Sequence, residues 1–305
     1  IVCEVGVSKS IISVCIINSR GVQANYKKSI FSLGIEGNLV RGTDMLFVGE
    51  DEISCHLLAN TKAVTESVLL QLERAKEQAS LSSRSLPVIF TPNGVASALI
   101  SPLMAAFNGK LVLEGASPIG SKIGQQIFNK DLWLWDDPTL DYRPMSRSCD
   151  DEGIPSQRTP LIVGGKVANF FYDLQTAGLA HAKSTGNGGR NRGGLPSPSP
   201  SAFVIAPGKV TFNEMINNIE EGLIIDQLMG GQQGNILGGD FSGNVLLGFK
   251  VKNGNILGRV KNTMISGNIY QILKQISIGD EAKWVGSFLN TPHLYCPSLS
   301  ITTMK

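Results

Sequence analysis

Asp150-Asp151-Glu152-Gly153-Ile154-Pro155 opens a polar block in the middle of the chain, and Ser184-Thr185-Gly186-Asn187-Gly188-Gly189-Arg190 closes it. Between them, Pro160-Leu161-Ile162-Val163-Gly164-Gly165-Lys166-Val167 reads as a strand, a Gly-Gly turn and a second strand. Phe171-Tyr172-Asp173-Leu174-Gln175-Thr176-Ala177 follows. Glycine lets a backbone turn through positive φ or approach another group closely. Glycines, acids and small polar residues in so dense an array belong to a site or an interface rather than to a core.

Working outward, the C-terminal side begins with a glycine- and proline-rich loop, Gly186 to Pro200, too polar to fold alone. Thr211 and Glu214 form a capping box that opens a helix, which Gly222 should end. Strands are expected over Leu223 to Met229, Val245 to Val251 and Asn255 to Val260, with Asn253-Gly254 as a type I′ hairpin turn. Asn268 caps a further helix carrying Ile269, Ile272, Leu273 and Ile276 and ending at Gly279. Leu299-Ser300-Ile301 is a last alternating strand.

On the N-terminal side, Trp133 to Pro138 reads as a strand that ends in a turn. Asn93 to Phe107 is apolar nearly all round, which predicts a buried helix interrupted by Pro102. Leu86 to Phe90 is a short buried strand. Before it, Asn60 or Thr61 caps a helix with Ala63, Val64, Val68, Leu72 and Ala75 on one face. The start of the chain reads as an antiparallel meander: Ile11 to Ile17, a turn at Asn18-Ser19-Arg20-Gly21, a strand from Val22, and a third strand from Leu39 to Val48. The expectation is an α+β protein of two units. Residues 1–83 form a meander-plus-helix unit, and residues 84–305 form a larger, mostly antiparallel β domain with helices.

Composition narrows the function. Net charge is +2 and charged residues are 17% of the chain, too little for a nucleic-acid or acidic-membrane surface. Glycine, 34 of 305 residues, is about 11% against a usual ~7%. Low charge with many glycines suits a β-rich protein that buries a large interface. No apolar run has the ~18 residues of a membrane span. The five cysteines are scattered, odd in number and free of Cys-x-x-Cys, which reads as reduced thiols in a cytoplasmic protein.

The block resembles the TldD/PmbA family, once called modulators of DNA gyrase and seen as a peptide-processing protease system. The resemblance rests on the Asp-x-Glu-Gly-x-Pro signature at Asp150 or Asp151 through Pro155, on Tyr172-Asp173-Leu174-x-Thr176-Ala177, and on Ser184-Thr185-Gly186-Asn187. It continues through Gly238-Gly239-Asp240-Phe241-Ser242, Asn253-Gly254 and Ile265-Ser266-Gly267-Asn268. It implies an additional α/β domain ahead of the residues that match, and the expectation is that the sequence beginning at Ile1 lacks it.

Catalytic members of that family carry a zinc-binding His-Glu-x-x-x-His on the helix after the first strand of the C-terminal domain, completed by a cysteine near the C-terminus. Such a site needs neutral imidazoles and a thiolate on the metal, with a carboxylate to activate its water. In this chain the motif falls near Ile100, Ser101 and Ala105, none of which can replace those ligands. The resemblance is therefore to the PmbA (TldE) branch, which lacks the motif and pairs with a zinc-bearing TldD subunit. It implies no catalytic residue, metal or cofactor in this chain, zinc in the partner, and peptides as the substrates of the pair. A homodimer is expected when the chain is isolated. Asp151, Glu152, Gly153, Pro155, Ser184, Thr185, Gly186, Asn187, Arg190 and Cys296 are the candidates for a cavity or subunit interface. Two rival readings stay open: an autonomous hydrolase using Cys296 or Ser184, the latter three residues after His181, and a structural, peptide-binding homodimer.

Overall fold

The computed structural model describes residues 1–42, 44–58 and 60–304, with the backbone alone at 232 and 233. Strands β1 (Val2–Ile17), β2 (Gln23–Arg41) and β3 (Asp44–Ser54) form a three-stranded antiparallel sheet. The turn after β1 is held by Asn18, whose side-chain oxygen accepts from the N–H groups of Arg20 and Val22 at 2.9 and 3.1 Å. The strand expected over Leu39 to Val48 is corrected: Leu39 to Arg41 end β2, Asp44 begins β3, and Gly42 turns between them at φ 62°. The apolar pattern runs on through Met45 and Leu46, so it hides that turn. Helix α1 (Lys62–Arg74) starts where Asn60 accepts from the Lys62 N–H at 2.9 Å.

A large sheet follows. Its strands begin with β4 (Arg84–Phe90), after which helices α2 (Pro92–Ala98), α3 (Ile100–Ala106) and α4 (Gly109–Leu113) cover one face. Then come β5 (Leu134–Asp136), β6 (Thr159–Val163), β7 (Lys166–Val167) and helix α5 (Leu174–Leu179). A two-stranded ladder, β8 (Gly188–Gly189) with β9 (Ser197–Pro198), lies within the glycine- and proline-rich loop. Strand β10 (Phe203–Ile205), helix α6 (Phe212–Asn217), β11 (Glu221–Gln233), β12 (Asp240–Lys252) and β13 (Asn255–Arg259) come next. The chain ends with β14 (Thr263–Asn268), helix α7 (Ile269–Ile272), β15 (Ser277–Val285) and β16 (Leu289–Thr303).

The large sheet runs in the order β13-β12-β11-β4-β16-β10-β5-β6-β7, and β14 bridges β12 to β16, closing a ring of strands. Two pairings are parallel, β4 with β11 and β10 with β16; the rest are antiparallel. The architecture is mixed α+β and mainly β, as expected. The Asn253-Gly254 turn is left-handed at both residues, φ 48° and 75°, and Thr211 and Glu214 make the reciprocal capping box. Asn268 does cap a helix, but that helix stops at Ile272. Residues 277–285 run as a strand because β16 offers them a ladder partner.

Core strands bury both faces, alternating with period two. Leu86, Val88 and Phe90 on β4, with Leu223 and Ile225 on β11, pack beneath α2 and α3. Ile89 and Ile224 face the other way, against α1, α6 and the Leu46 and Val48 side chains of β3. Burial of each such side chain contributes about 1.5–3 kcal/mol. The apolar helix is buried as expected, yet it breaks at Leu99 rather than at Pro102. A proline obstructs the carbonyl four residues earlier, here Ala98, so the break appears a turn upstream. Among the described residues, no helix is long and apolar enough to cross a membrane.

Candidate functional site

The two ends of the polar block fold onto each other. Asp150 is fully buried and its carboxylate is saturated: one oxygen accepts from the N–H groups of Glu152 and Ile154 at 3.0 and 2.9 Å, the other from Gly188 N–H at 2.8 Å. Asp151 accepts from Arg190 N–H at 2.8 Å, and its own N–H donates to the Gly188 carbonyl at 2.9 Å. Glu152 reaches Leu174 N–H at 2.7 Å, at the start of α5, where Asp173 caps the helix by accepting from Thr176 N–H, also at 2.7 Å. Burial pushes the Glu152 carboxyl up, the Leu174 N–H pulls it down, and the neighbouring Asp150 and Asp173 add to the rise. The backbone donors of the Gly188 to Arg190 segment, which could have cradled an external anion, thus hold this chain's own carboxylates.

A second buried knot lies behind the first. Thr185 Oγ1 accepts from Tyr172 N–H at 2.7 Å. The Asn187 amide donates to Asp136 Oδ2 at 2.6 Å and to the Ser199 carbonyl at 3.0 Å. Asp136 Oδ1 accepts from the N–H groups of Ser201 and Ala202, both at 2.7 Å. Burial pushes the Asp136 carboxyl up against the pull of these donors. Glycine is required at two points. Gly186 sits at φ 72°, where a Cβ would lie 2.8 Å from the Pro155 carbonyl oxygen, and at Gly188 a Cβ would lie 2.5 Å from Glu152 Oε2.

The candidates separate accordingly. Asp151, Glu152, Gly153, Pro155, Ser184, Thr185, Gly186, Asn187 and Arg190 belong to one loop pair, with Thr185 to Asn187 buried and Pro155 and Arg190 exposed. Gly153 abuts Val22, in the turn at the tip of the β1–β2 hairpin. An open cleft of about 890 Å³ lies between this hairpin's tip, Asp151, Glu152, Arg190 and Arg192. Cys296 stands elsewhere, buried on β16 opposite Val88. Its thiol donates to the Ser298 carbonyl, and burial pushes its pKa up, away from a reactive thiolate.

The rival nucleophile is no better placed. Ser184 Oγ bonds the Tyr172 carbonyl and the Gly186 N–H, at 3.3 and 3.2 Å, rather than His181. His293 and Cys296 lie on opposite faces of β16, His293 stacked on Phe212 with ring centroids 4.4 Å apart.

Asp136 ends the strand expected over Trp133 to Pro138 and is absent from the candidates that the sequence offers. Its signal was the alternation of Trp133-Leu134-Trp135-Asp136, which puts an acid on the same inward face as Leu134.

The residues near which the resemblance puts a zinc motif do not fit a metal. Ile100 is 2% exposed within the core and Ser101 and Ala105 flank it; none supplies an imidazole or carboxylate. Among the described residues, no three His, Cys, Asp or Glu side chains stand close enough to hold an ion.

The family model described as the PmbA/TldA metallopeptidase C-terminal domain matches residues 83–305. An uncharacterized protein of Methanocaldococcus jannaschii is 32% identical over 277 residues, covering 90% of this chain and 64% of its own. Metalloprotease PmbA of Escherichia coli O157:H7 is 29% identical over 226 residues, 74% of this chain and 46% of its own. The crystal structure of TldE from Thermococcus kodakarensis aligns over 98% of this chain and 68% of that one, with TM-score 0.85 and 25% identity. The chain thus spans about half to two-thirds of the length of these curated relatives. A family model matched along most of the sequence, on the fold just described, means that the chain belongs to the PmbA/TldD metallopeptidase family.

Proposed function

We propose that the chain is a non-catalytic, PmbA/TldE-like subunit. It assembles with a TldD-like metalloprotease and helps enclose the chamber in which unstructured peptides are cut. One observation carries this reading: the family's zinc position is occupied by Ile100, Ser101 and Ala105 inside an apolar helix pair. Zinc and the hydrolytic water belong, on this reading, to the partner.

The loop pair supports an assembly role. Its carboxylates are spent on holding Gly188 and Arg190 in place beside an open cleft, so it presents a stiff, polar surface rather than a reacting group. Strand β1 supports it too: it is an edge strand exposed along nearly its whole length, with Val2, Val5, Val7 and Ile11 58–78% exposed. A long apolar edge of this kind is ordinarily covered. The proposal places the Asp151 to Pro155 segment and the Ser184 to Arg190 loop at a subunit contact or lining the cavity it encloses. The contact should bury more than ~2,000 Å², as obligate pairs do. With no partner, a homodimer is expected, in the cytoplasm.

The test is co-purification with a TldD-like protein of the same genome, followed by cleavage of an unstructured peptide. The chain alone should be inert, and a stable complex with chelator-sensitive cleavage should appear on adding the partner. Chelator-sensitive cleavage by the chain alone, or no complex, would overturn the proposal.

A further inference from the structure

Between α1, β11, β15 and β16, beside the first residues of α2, lies a cavity of about 350 Å³ that shares no residue with the loop pair. Asp226 lines it. The register of β11 against β12 shifts on either side of Gln227, and Asp226 has no partner across the ladder. Such a bulge re-aims a side chain. Asp226 is 8% exposed, and its Oδ1 accepts from Thr91 Oγ1 at 2.7 Å, whereas Oδ2 is buried with no hydrogen-bond partner. A buried acceptor without a donor costs about 1–3 kcal/mol, so an unfilled one needs an explanation.

The second charged group is Arg74, at the last turn of α1. Its guanidinium lies over the Phe212 ring, 6.0 Å from the centroid. It belongs to no salt bridge among the described residues. Glu50 and Lys283, also in the wall, pair with each other at 2.5 Å, and Glu281 and His293 line it too. Leu70, Phe212, Ile224 and Phe249 form the apolar part of the wall. The pocket therefore offers one carboxylate oxygen lacking a hydrogen-bond donor, one guanidinium outside any salt bridge, and an apolar patch.

We infer that this cavity binds a small apolar zwitterion of the α-amino-acid class, its ammonium on Asp226 Oδ2 and its carboxylate on Arg74. An ammonium supplies the donor that Oδ2 lacks, and a carboxylate matches the planar fork of the guanidinium. Both protein groups line one cavity, so a single small molecule that carries both charges can meet the two together. The side chain lies against Leu70, Phe212 and Ile224. The inference goes beyond the assembly proposed above and does not rest on it.

The test is calorimetric titration of the 305-residue chain with L-leucine, N-acetyl-L-leucine and L-leucinamide. L-Leucine should bind saturably and raise the melting temperature, and capping either charge should weaken binding about tenfold or more. Asp226→Asn should erase the preference for leucine over the acetylated form, and Arg74→Gln the preference over the amide. Circular dichroism checks folding. If Asp226→Asn fails to fold, Arg74→Gln, at a half-exposed helix end, still decides the matter. Absence of saturable leucine binding, equal binding of the capped forms, or variants that keep both preferences would overturn the inference.

Discussion

Two regions of this chain bury carboxylates, and they treat them in opposite ways. In the loop pair and the knot behind it, both oxygens of Asp136 and of Asp150 have donors, Asp136 from distant segments and Asp150 from its own turn and from Gly188. At the α1–β11 cavity, Asp226 has one oxygen bonded and the other without a donor. Satisfied groups of the first kind fix a unique backbone course; an unsatisfied one lowers stability and leaves room for a ligand. Substitution should therefore be costly in the first region and nearly free in the second.

Asp136→Ala should show the largest effect. It takes one of the two partners of the Asn187 amide and leaves the Ser201 and Ala202 N–H groups unpaired in the interior, for an expected loss of about 3–5 kcal/mol. Denaturant unfolding measures it, and a loss under about 1 kcal/mol would erase the distinction between the regions. Gly186→Ala comes next, at about 2 kcal/mol, because it adds a methyl beside the Pro155 carbonyl at positive φ. The same substitution should weaken co-purification with a TldD-like partner more than its stability loss alone predicts, if the loop pair forms the contact.

Acid sharpens the comparison on the cavity side. Burial pushes His293, in the cavity wall, down from 6.5 to about 4, with Arg74 and Lys283 adding to the fall and Asp280 opposing it. The unfolded chain then binds a proton that the native state refuses, so this group's contribution is present above about 6.5 and is lost as pH falls toward 4. His293→Gln should flatten the decline of melting temperature across that window. A decline as steep as that of the parent chain would show that His293 is not held neutral. The smallest effect is expected for Asp226→Asn. Asn keeps an oxygen for Thr91 and removes a buried charge, so stability should change by less than about 1 kcal/mol in either direction. A loss as large as that of Asp136→Ala would collapse the contrast.

Much of the fold was legible because it rests on local signals. Asn253-Gly254 can adopt left-handed φ cheaply, so the hairpin follows from two residues. Thr211 and Glu214 satisfy each other's backbone donors within one turn, whatever surrounds them. The density of glycine and acid from Asp150 to Arg190 marked the loop pair and, through its resemblance, the family. Where strand and helix compete, local signals fall short: the segment after Asn268 has the spacing of a helix, yet past Ile276 β16 draws it into the sheet.

By itself, then, the sequence determined the Asn18 and Asn253-Gly254 turns, the Thr211 and Asn268 caps and the lack of zinc ligands on the helix after Phe90, because each depends on residues a few positions apart. Tertiary structure decided which acids are paired. Asp136 meets Asn187 across 51 residues, Asp150 meets Gly188 across 38 and Thr91 meets Asp226 across 135. A carboxylate's state depends on the donors brought to it, and no spacing along the chain records them. The same holds for Cys296, which looked available from its place near the C-terminus and is buried because β4 lies beside it in the sheet.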